Sequence, residues 1–146
     1  MVTSGPDPVE VGQAGRVMAL SGAACASLAG SLSLKELGAA IASARIFVGV
    51  DSAPMHIAAA VGTPVVALFG PTGAYNWAPW DGIDWGYTAE SPAGTRQVGR
   101  HIVVQKEWDF IQKGKMEGKR NSGMEEITLE EVVQAVDRVL SPGAGG

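Results

Sequence analysis

The stretch that most constrains the fold is residues 48–72, VGVDSAPMHIAAAVGTPVVALFGPT, which holds no Lys, Arg or Glu and a single Asp and a single His. Two short apolar runs flank its centre, IFVGV at 46–50 and VVALF at 65–69. Continuous β-branched runs of this length suit strands buried on both faces. Between them, Pro54 is tolerated in a first helical turn, where its missing N–H leaves no bond unmade. MHIAAAV continues that helix, Gly62 can end it in a left-handed conformation, and Pro64 prevents its resumption. Strand, short helix and strand form a βαβ unit, which dictates a parallel pair with a right-handed crossover. The expected fold class is α/β, a three-layer Rossmann-like parallel sheet.

The flanking segments support that reading. Val2-Thr3 followed by Ser-Gly-Pro-Asp-Pro reads as the end of a strand and a turn, with a helical pattern from about Val9 to Leu20. The chain thus reads as the later part of something longer. Ser33-Leu34-Lys35-Glu36 is a capping box, in which hydroxyl and carboxylate satisfy the free N–H groups of a helix start. Leu34, Leu37 and Ile41 then mark one helix face ending near Ser43. Residues 70–100, rich in Gly, Pro and Trp, are expected to form a long loop region. HIVV at 101–104 is a further strand, 106–120 a charged loop, and Thr128-Leu129-Glu130-Glu131 a second capping box. The last helix carries an apolar stripe of Leu129, Val132, Val133, Val136, Val139 and Leu140, and 141–146 is expected to be a disordered tail.

Composition narrows the function classes. With 46% hydrophobic and 18% charged residues the chain is globular, and 146 residues suffice for one domain, 1–146, with a real core. A formal net charge of −4 gives no electrostatic support to nucleic-acid binding. The one cysteine, Cys25, excludes an internal disulfide framework and a cysteine zinc cluster, and reads as a small buried hydrophobe. No apolar run reaches the roughly 20 residues a membrane span needs, and the first residues lack the basic start and apolar stretch of a signal peptide. A cytoplasmic location is expected.

In open parallel sheets, ligands bind beyond the carboxyl ends of strands. The first strand ends at Asp51-Ser52-Ala53-Pro54, directly before a helix N-terminus; the second ends at Gly70-Pro71-Thr72-Gly73. A helix N-terminus offers unpaired N–H groups and about half a positive charge, a seat for phosphate. Ser52 and Thr72 add hydroxyls, Asp51 can accept from sugar hydroxyls, and His56, one turn into the helix, can donate to a phosphate oxygen. Two readings stand at this point. Asp51 and Ser52 are either caps or ligand groups, and His56 is either a core residue or a donor.

The residues DSAPMHIAAAVGTPVVALFGPT resemble the signature of glycosyltransferase family 9, the heptosyltransferases of lipopolysaccharide core assembly, whose members have the two-domain GT-B fold. The family pattern Asp-Ser/Thr-Gly-x-x-His, Ala-rich helix, Pro, apolar strand and Gly-Pro-Thr/Ser is matched by Asp51, Ser52, His56, Pro64 and Gly70-Pro71-Thr72. With NWAPW at 76–80, the likeness is greatest to the heptosyltransferase III branch. The resemblance implies transfer of heptose from ADP-heptose to the lipid A–core acceptor, with inversion and without a metal or other cofactor. It implies that this chain is the C-terminal, donor-binding domain of a GT-B enzyme, N-terminally truncated. In that reading Asp51 holds donor sugar hydroxyls, and N–H groups of Ser52, Ala53 and Met55 hold the diphosphate. His56, Gly70 and Thr72 support the same site. Asp7 and Glu10 are candidates for the nucleotide ribose, because Pro8 stands where the family has Glu. Ala53 stands where many members have Gly.

No catalytic residue is expected in this chain, since the family's general base lies in the acceptor-side domain, and transfer by this chain alone is not expected. The same resemblance makes the nucleotide sugar and, through the other domain, the lipid A–core acceptor its partners. It places the protein in the cytoplasm, at the inner face of the inner membrane. Other readings are another GT-B nucleoside-diphosphate-sugar transferase or epimerase, and a non-catalytic nucleotide-binding module. Trp77 and Trp80 either wall a base or sugar pocket or pin the long loop. Lys113, Lys115, Lys119 and Arg120 either meet anionic headgroups in a peripheral membrane contact or form a solvated face among Glu107, Asp109 and Glu117. Asp81 and Asp84 read as loop polar groups.

Overall fold

The computed structural model describes residues 1–22, 24–80, 82, 84–119 and 122–141. The chain divides into two compact units, Met1–Ala39 and Ala40–Gly146.

In the first unit Val2 and Ser27 form an isolated parallel bridge, fixed by bonds from Val2 N–H to Ala26 O and from Leu28 N–H to Val2 O, both 2.9 Å. Between them runs α1 (Pro8–Ser21), capped by Asp7 and ended by Gly22 in the left-handed region at φ 60°. Helix α2 (Leu34–Ala42) crosses the unit boundary. The Ser33 box forms as its sequence dictates: Glu36 accepts from the Ser33 N–H at 2.8 Å and from its hydroxyl at 2.7 Å. Both bonds hold the Glu36 carboxyl below its ordinary pKa, the hydroxyl foremost.

The second unit is built on a four-stranded sheet of order β1-β2-β4-β3. Here β1 (Phe47–Val50), β2 (Val65–Phe69) and β4 (His101–Gln105) run parallel, whereas β3 (Arg96–Val98) joins β4 antiparallel. The sheet is therefore mixed, not all-parallel as expected. The antiparallel strand arises because Gly99, at φ 52°, lets the chain turn straight back into β4. Helix α3 (Ala53–Ala60) supplies the expected crossover from β1 to β2, and α6 (Leu129–Leu140) packs on β4 and β2.

Val66, Ile102 and Val104 meet Ala135 of α6, with Leu68, Val136 and Val139 packed around them. Val65, Ala67 and Phe69 alternate with these along β2 and are equally inaccessible, so β2 is covered on both faces. Burying side chains of this size stabilises the sheet by about 1.5–3 kcal/mol each. By contrast β1 is half-buried on one face and exposed on the other. Val48 and Val50 are 44% and 49% exposed, while on the other face the Phe47 ring lies over Gly49, where a Cβ would stand 2.7 Å from Phe47 Cε1.

Two further expectations are corrected. The long region 70–100 contains a one-turn helix, α4 (Ala74–Trp77), besides β3. The charged 106–120 segment contains a true helix, α5 (Trp108–Met116), anchored by the buried Ile111 and Gly114. Ser122 packs so tightly on Gly114 that a Cβ there would lie 2.8 Å from Ser122 Oγ. Of the expected tail, Ser141 caps α6; residues 142–146 lie outside the described residues, as do Asp81 and Arg120.

Candidate donor-binding site

Asp51 directly follows β1 and is held there by its N–H, which donates to Leu68 O of β2 at 3.3 Å. Gly70, Pro71 and Thr72 directly follow β2. The two parallel strands therefore deliver their polar ends to one sheet edge. Asp51, Gly70, Pro71 and Thr72, with Val50, line a cleft of about 350 Å³ that Met124 completes. Met124 packs against Gly70 so closely that a Cβ on Gly70 would sit 3.2 Å from Met124 Cβ. Glycine at this position lets the wall close.

At the start of α3 the N-cap side chain does not cap the helix. Ser52 occupies the N-cap position with extended backbone (φ −165°, ψ 165°), yet its side chain makes no cap hydrogen bond. Its hydroxyl donates backwards to Val50 O at 3.1 Å. The N–H groups of Met55 and His56 turn back to Ser52 O at 3.1 and 3.4 Å. Pro54 has no N–H, so those of Ser52 and Ala53 are the first-turn donors available to an anion. The Met55 side chain is fully buried and belongs to the core. Its N–H, expected on the diphosphate, is engaged inside the turn. Ala53 is an ordinary helical residue and exposed, so its methyl is compatible with the loop. Ser52 and His56 are half-buried beside the cleft but do not line it.

Asp7 and Glu10 belong to the first unit. Each carboxylate is engaged locally: Asp7 accepts from Val9 N–H at 2.8 Å and Glu10 from Gly5 N–H at 2.9 Å.

One residue that sequence reasoning missed supports the cleft from below. Gln105, the last residue of β4, is buried at 3% exposure. Its Nε2 donates to Gly70 O at 3.0 Å and to Thr72 O at 2.8 Å. Its own backbone is tied to Thr95, whose hydroxyl donates to Gln105 O at 3.1 Å. The signal available in the sequence was a lone amide directly after the apolar run Ile102-Val103-Val104. Met124 gave none beyond the preceding Gly123, whose φ is +95°.

The 75–96 segment is stapled independently. Trp85 Nε1 donates to Pro79 O and the Tyr87 hydroxyl to Gly94 O, each at 3.0 Å. The Arg96 guanidinium lies 3.9 Å from the Tyr87 ring centroid. Burial pushes the Tyr87 hydroxyl up to about 12, with Arg96 opposing the shift. Of the basic cluster, Lys119 pairs with Glu117 at 3.4 Å and Lys115 sits 5.3 Å from the Trp108 ring centroid.

Comparison with known proteins agrees with the motif reading. The sequence profile described as glycosyltransferase family 9 (heptosyltransferase) matches residues 1–98. Lipopolysaccharide heptosyltransferase 3 of Escherichia coli is 44% identical over 81 residues, 55% of this chain and 24% of that protein. The protein of the same name in strain K12 is 60% identical over 53 residues, 36% of this chain and 15% of that protein. Lipooligosaccharide heptosyltransferase 2 of Haemophilus influenzae is 30% identical over 117 residues, 80% of this chain and 30% of that protein. The chain thus spans under a third of the length of these relatives. The crystal structure of the glycosyl transferase family 9 from Veillonella parvula DSM 2008 superposes with a TM-score of 0.68 at 23% identity, covering 94% of this chain and 35% of that one. With more than half of its length matched by the profile, the chain belongs to glycosyltransferase family 9, the heptosyltransferase family.

Proposed function

We propose that the chain is the donor-binding part of a heptosyltransferase, holding ADP-heptose for transfer to the lipopolysaccharide inner core. The observation that carries this reading is the cleft that Asp51 and Gly70-Pro71-Thr72 line together at the carboxyl ends of neighbouring parallel strands. Asp51 accepts from donor sugar hydroxyls. The Ser52 and Ala53 N–H groups, with the positive end of α3, face the diphosphate. The leaving group is ADP, so charge grows on the phosphates as the glycosidic bond breaks, and donors already oriented there stabilise it without reorganisation. His56 and Thr72 support the same site. The general base is supplied from the acceptor side of the whole enzyme, and the reaction uses no metal or other cofactor. The enzyme works in the cytoplasm. Contact with the inner face of the inner membrane draws on the exposed lysines of α5. No described helix is long and apolar enough to cross a membrane.

Isothermal titration of the 146-residue chain with ADP-heptose tests the reading. A hydrogen bond to a charged group contributes about 1.5–3 kcal/mol, so Asp51→Ala should weaken ADP-heptose binding roughly tenfold or more. His56→Ala should weaken it less. Parental affinity in both variants would show the site to be wrong. Tighter binding of a different nucleoside-diphosphate sugar in the same titration would point to another transferase or an epimerase.

A further inference from the structure

A second pocket, of about 180 Å³, lies beside the first along the chain and is lined by Tyr75, Asn76, Trp80, Asp84, Trp85 and Tyr87. Thr72, the last residue of the 70–72 loop to line the donor cleft, is three peptide links from Tyr75, at most about 11 Å between Cα atoms. We propose that this aromatic pocket is a saccharide subsite that binds a neutral sugar unit of the acceptor chain next to the donor cleft, an assignment that rests on the donor reading of that cleft.

The chemistry of the walls selects the ligand. Trp80 is 71% and Tyr75 52% exposed, so two large ring surfaces are turned to solvent. A pyranose has an apolar C–H face and a rim of hydroxyls. Aromatic rings match the face; the Asn76 carboxamide, which both donates and accepts, and the Asp84 carboxylate, which accepts, match the rim. Small-molecule sites have this mixture of apolar lining and few convergent polar groups.

Charge argues for a neutral polyol over a nucleotide. Among the described side chains that line the pocket, Asp84 brings a carboxylate and none brings a cation, a lining that disfavours phosphate. The Arg96 guanidinium is committed to the wall itself. Arg96 donates through Nη1 to Trp85 O at 3.1 Å and to Gly86 O, and through Nη2 to Ser91 O at 3.0 Å and Ser91 Oγ at 2.8 Å.

Further bonds fix the Asp84–Tyr87 wall of the pocket. Trp85 and Tyr87 stand nearly parallel, at 17° with centroids 6.5 Å apart. Each is pinned by its own polar atom to a backbone carbonyl, and Asp84 Oδ1 accepts from Gly86 N–H at 2.8 Å. A sugar therefore meets that wall already in place, which lowers the ordering cost of binding. Transfer requires an acceptor hydroxyl held alongside the donor's anomeric carbon. A subsite reached through the same loop that bounds the donor cleft keeps the acceptor chain on that side.

The test is an NMR titration of the ¹⁵N-labelled 146-residue chain with lipid-free core oligosaccharide released from lipopolysaccharide by mild acid, and separately with ADP. The oligosaccharide should shift the Trp80 and Trp85 indole signals. Trp80→Ala should weaken its binding at least fivefold, and Tyr75→Ala should do so to a similar extent. Trp77→Ala, an exposed neighbour that does not line the pocket, should leave that affinity within twofold. Circular dichroism confirms that each variant is folded. Unchanged oligosaccharide affinity in Trp80→Ala and Tyr75→Ala, no binding by the parent chain, or displacement of oligosaccharide by ADP at these indole signals would overturn the proposal. If ADP does not bind but the oligosaccharide binds through Trp80, the saccharide pocket is supported and the donor reading fails.

Discussion

Gln105 shows how a single side chain sets the shape of a loop distant in sequence. Its Nε2 orients two carbonyls, Gly70 O and Thr72 O, toward the sheet. Because a trans peptide carries its C=O and N–H in opposite directions, fixing the Thr72 carbonyl inward turns the Gly73 N–H the other way. Replacing Gln105 by Leu removes both donors and leaves the buried Gly70 carbonyl without its partner, a loss of about 1–3 kcal/mol for such a group. Part of that loss is offset, because Gln105 Oε1 is itself buried without a partner and disappears with the amide. The expected net effect is a destabilisation of about 2 kcal/mol in urea unfolding, with backbone amide shifts concentrated at Gly70, Thr72 and Gly73. Wild-type stability with unmoved loop signals would show that the amide does not hold the loop. Ala53 carries the opposite lesson. A Gly-to-Ala departure from the family pattern sits at an exposed helical position, where a methyl group strains nothing and favours the helix.

At the scale of elements, one carboxylate adds a polar tie between the last helix and the exit of β4 to the apolar packing of α6 on the sheet. Glu131 completes the capping box of α6, accepting from Thr128 N–H at 2.7 Å while the Thr128 hydroxyl accepts from Glu131 N–H at 3.2 Å. It also pairs with Lys106, at the exit of β4, with Nζ 2.7 Å from both carboxylate oxygens. The hydrogen bond from Lys106 foremost, then that from the Thr128 backbone, holds the Glu131 carboxyl below its ordinary 4.5. A carboxyl whose folded pKa is depressed adds stability that is fully present above the unfolded value and is lost as pH falls through the folded one. Glu131→Gln should therefore lower the thermal midpoint at pH 7, and the gap to the parent should close as pH falls below about 4. A gap unchanged down to pH 3 would contradict the assignment. Thr128→Ala should cost about 1 kcal/mol at pH 7 and should not add fully to Glu131→Gln, because both act on one box.

The two capping boxes and the β1–α3–β2 unit were legible because their signals are local: a hydroxyl and a carboxylate three residues apart, two apolar runs, a Pro and a Gly. Elements held by partners from elsewhere were not. The three residues of β3 carry no alternation and exist through pairing with β4. The weak pattern WDFIQKGKM becomes α5 because Ile111 is buried and Ser122 seats on Gly114. The candidate site divides in the same way. Asp51 and Gly70-Pro71-Thr72 follow from where strands end, whereas Met124 and Gln105 reach the cleft only through tertiary packing.

Across the whole molecule, burial is distributed unevenly, and that sets where the chain opens first. In α1 the buried residue is Ala14, while Val9, Val17 and Leu20 are 68%, 56% and 84% exposed. In β4 every residue is buried, and β2 is buried at four of its five positions. Local opening free energies follow apolar burial and backbone protection, from near zero in poorly packed elements to the global value in core strands. Native-state hydrogen exchange should therefore find the amides of Pro8–Ser21 exchanging orders of magnitude faster than those of Val65–Phe69 and His101–Gln105. The Asp51 and Gly70 amides, at the ends of the protected strands, should be intermediate. ADP should slow exchange at Ser52 and Ala53 before it slows α1, because the proposed ligand engages those N–H groups directly. Equal protection of α1 and β4 would mean that the units open together. Ligand protection confined to α1 would move the nucleotide away from the Asp51 cleft.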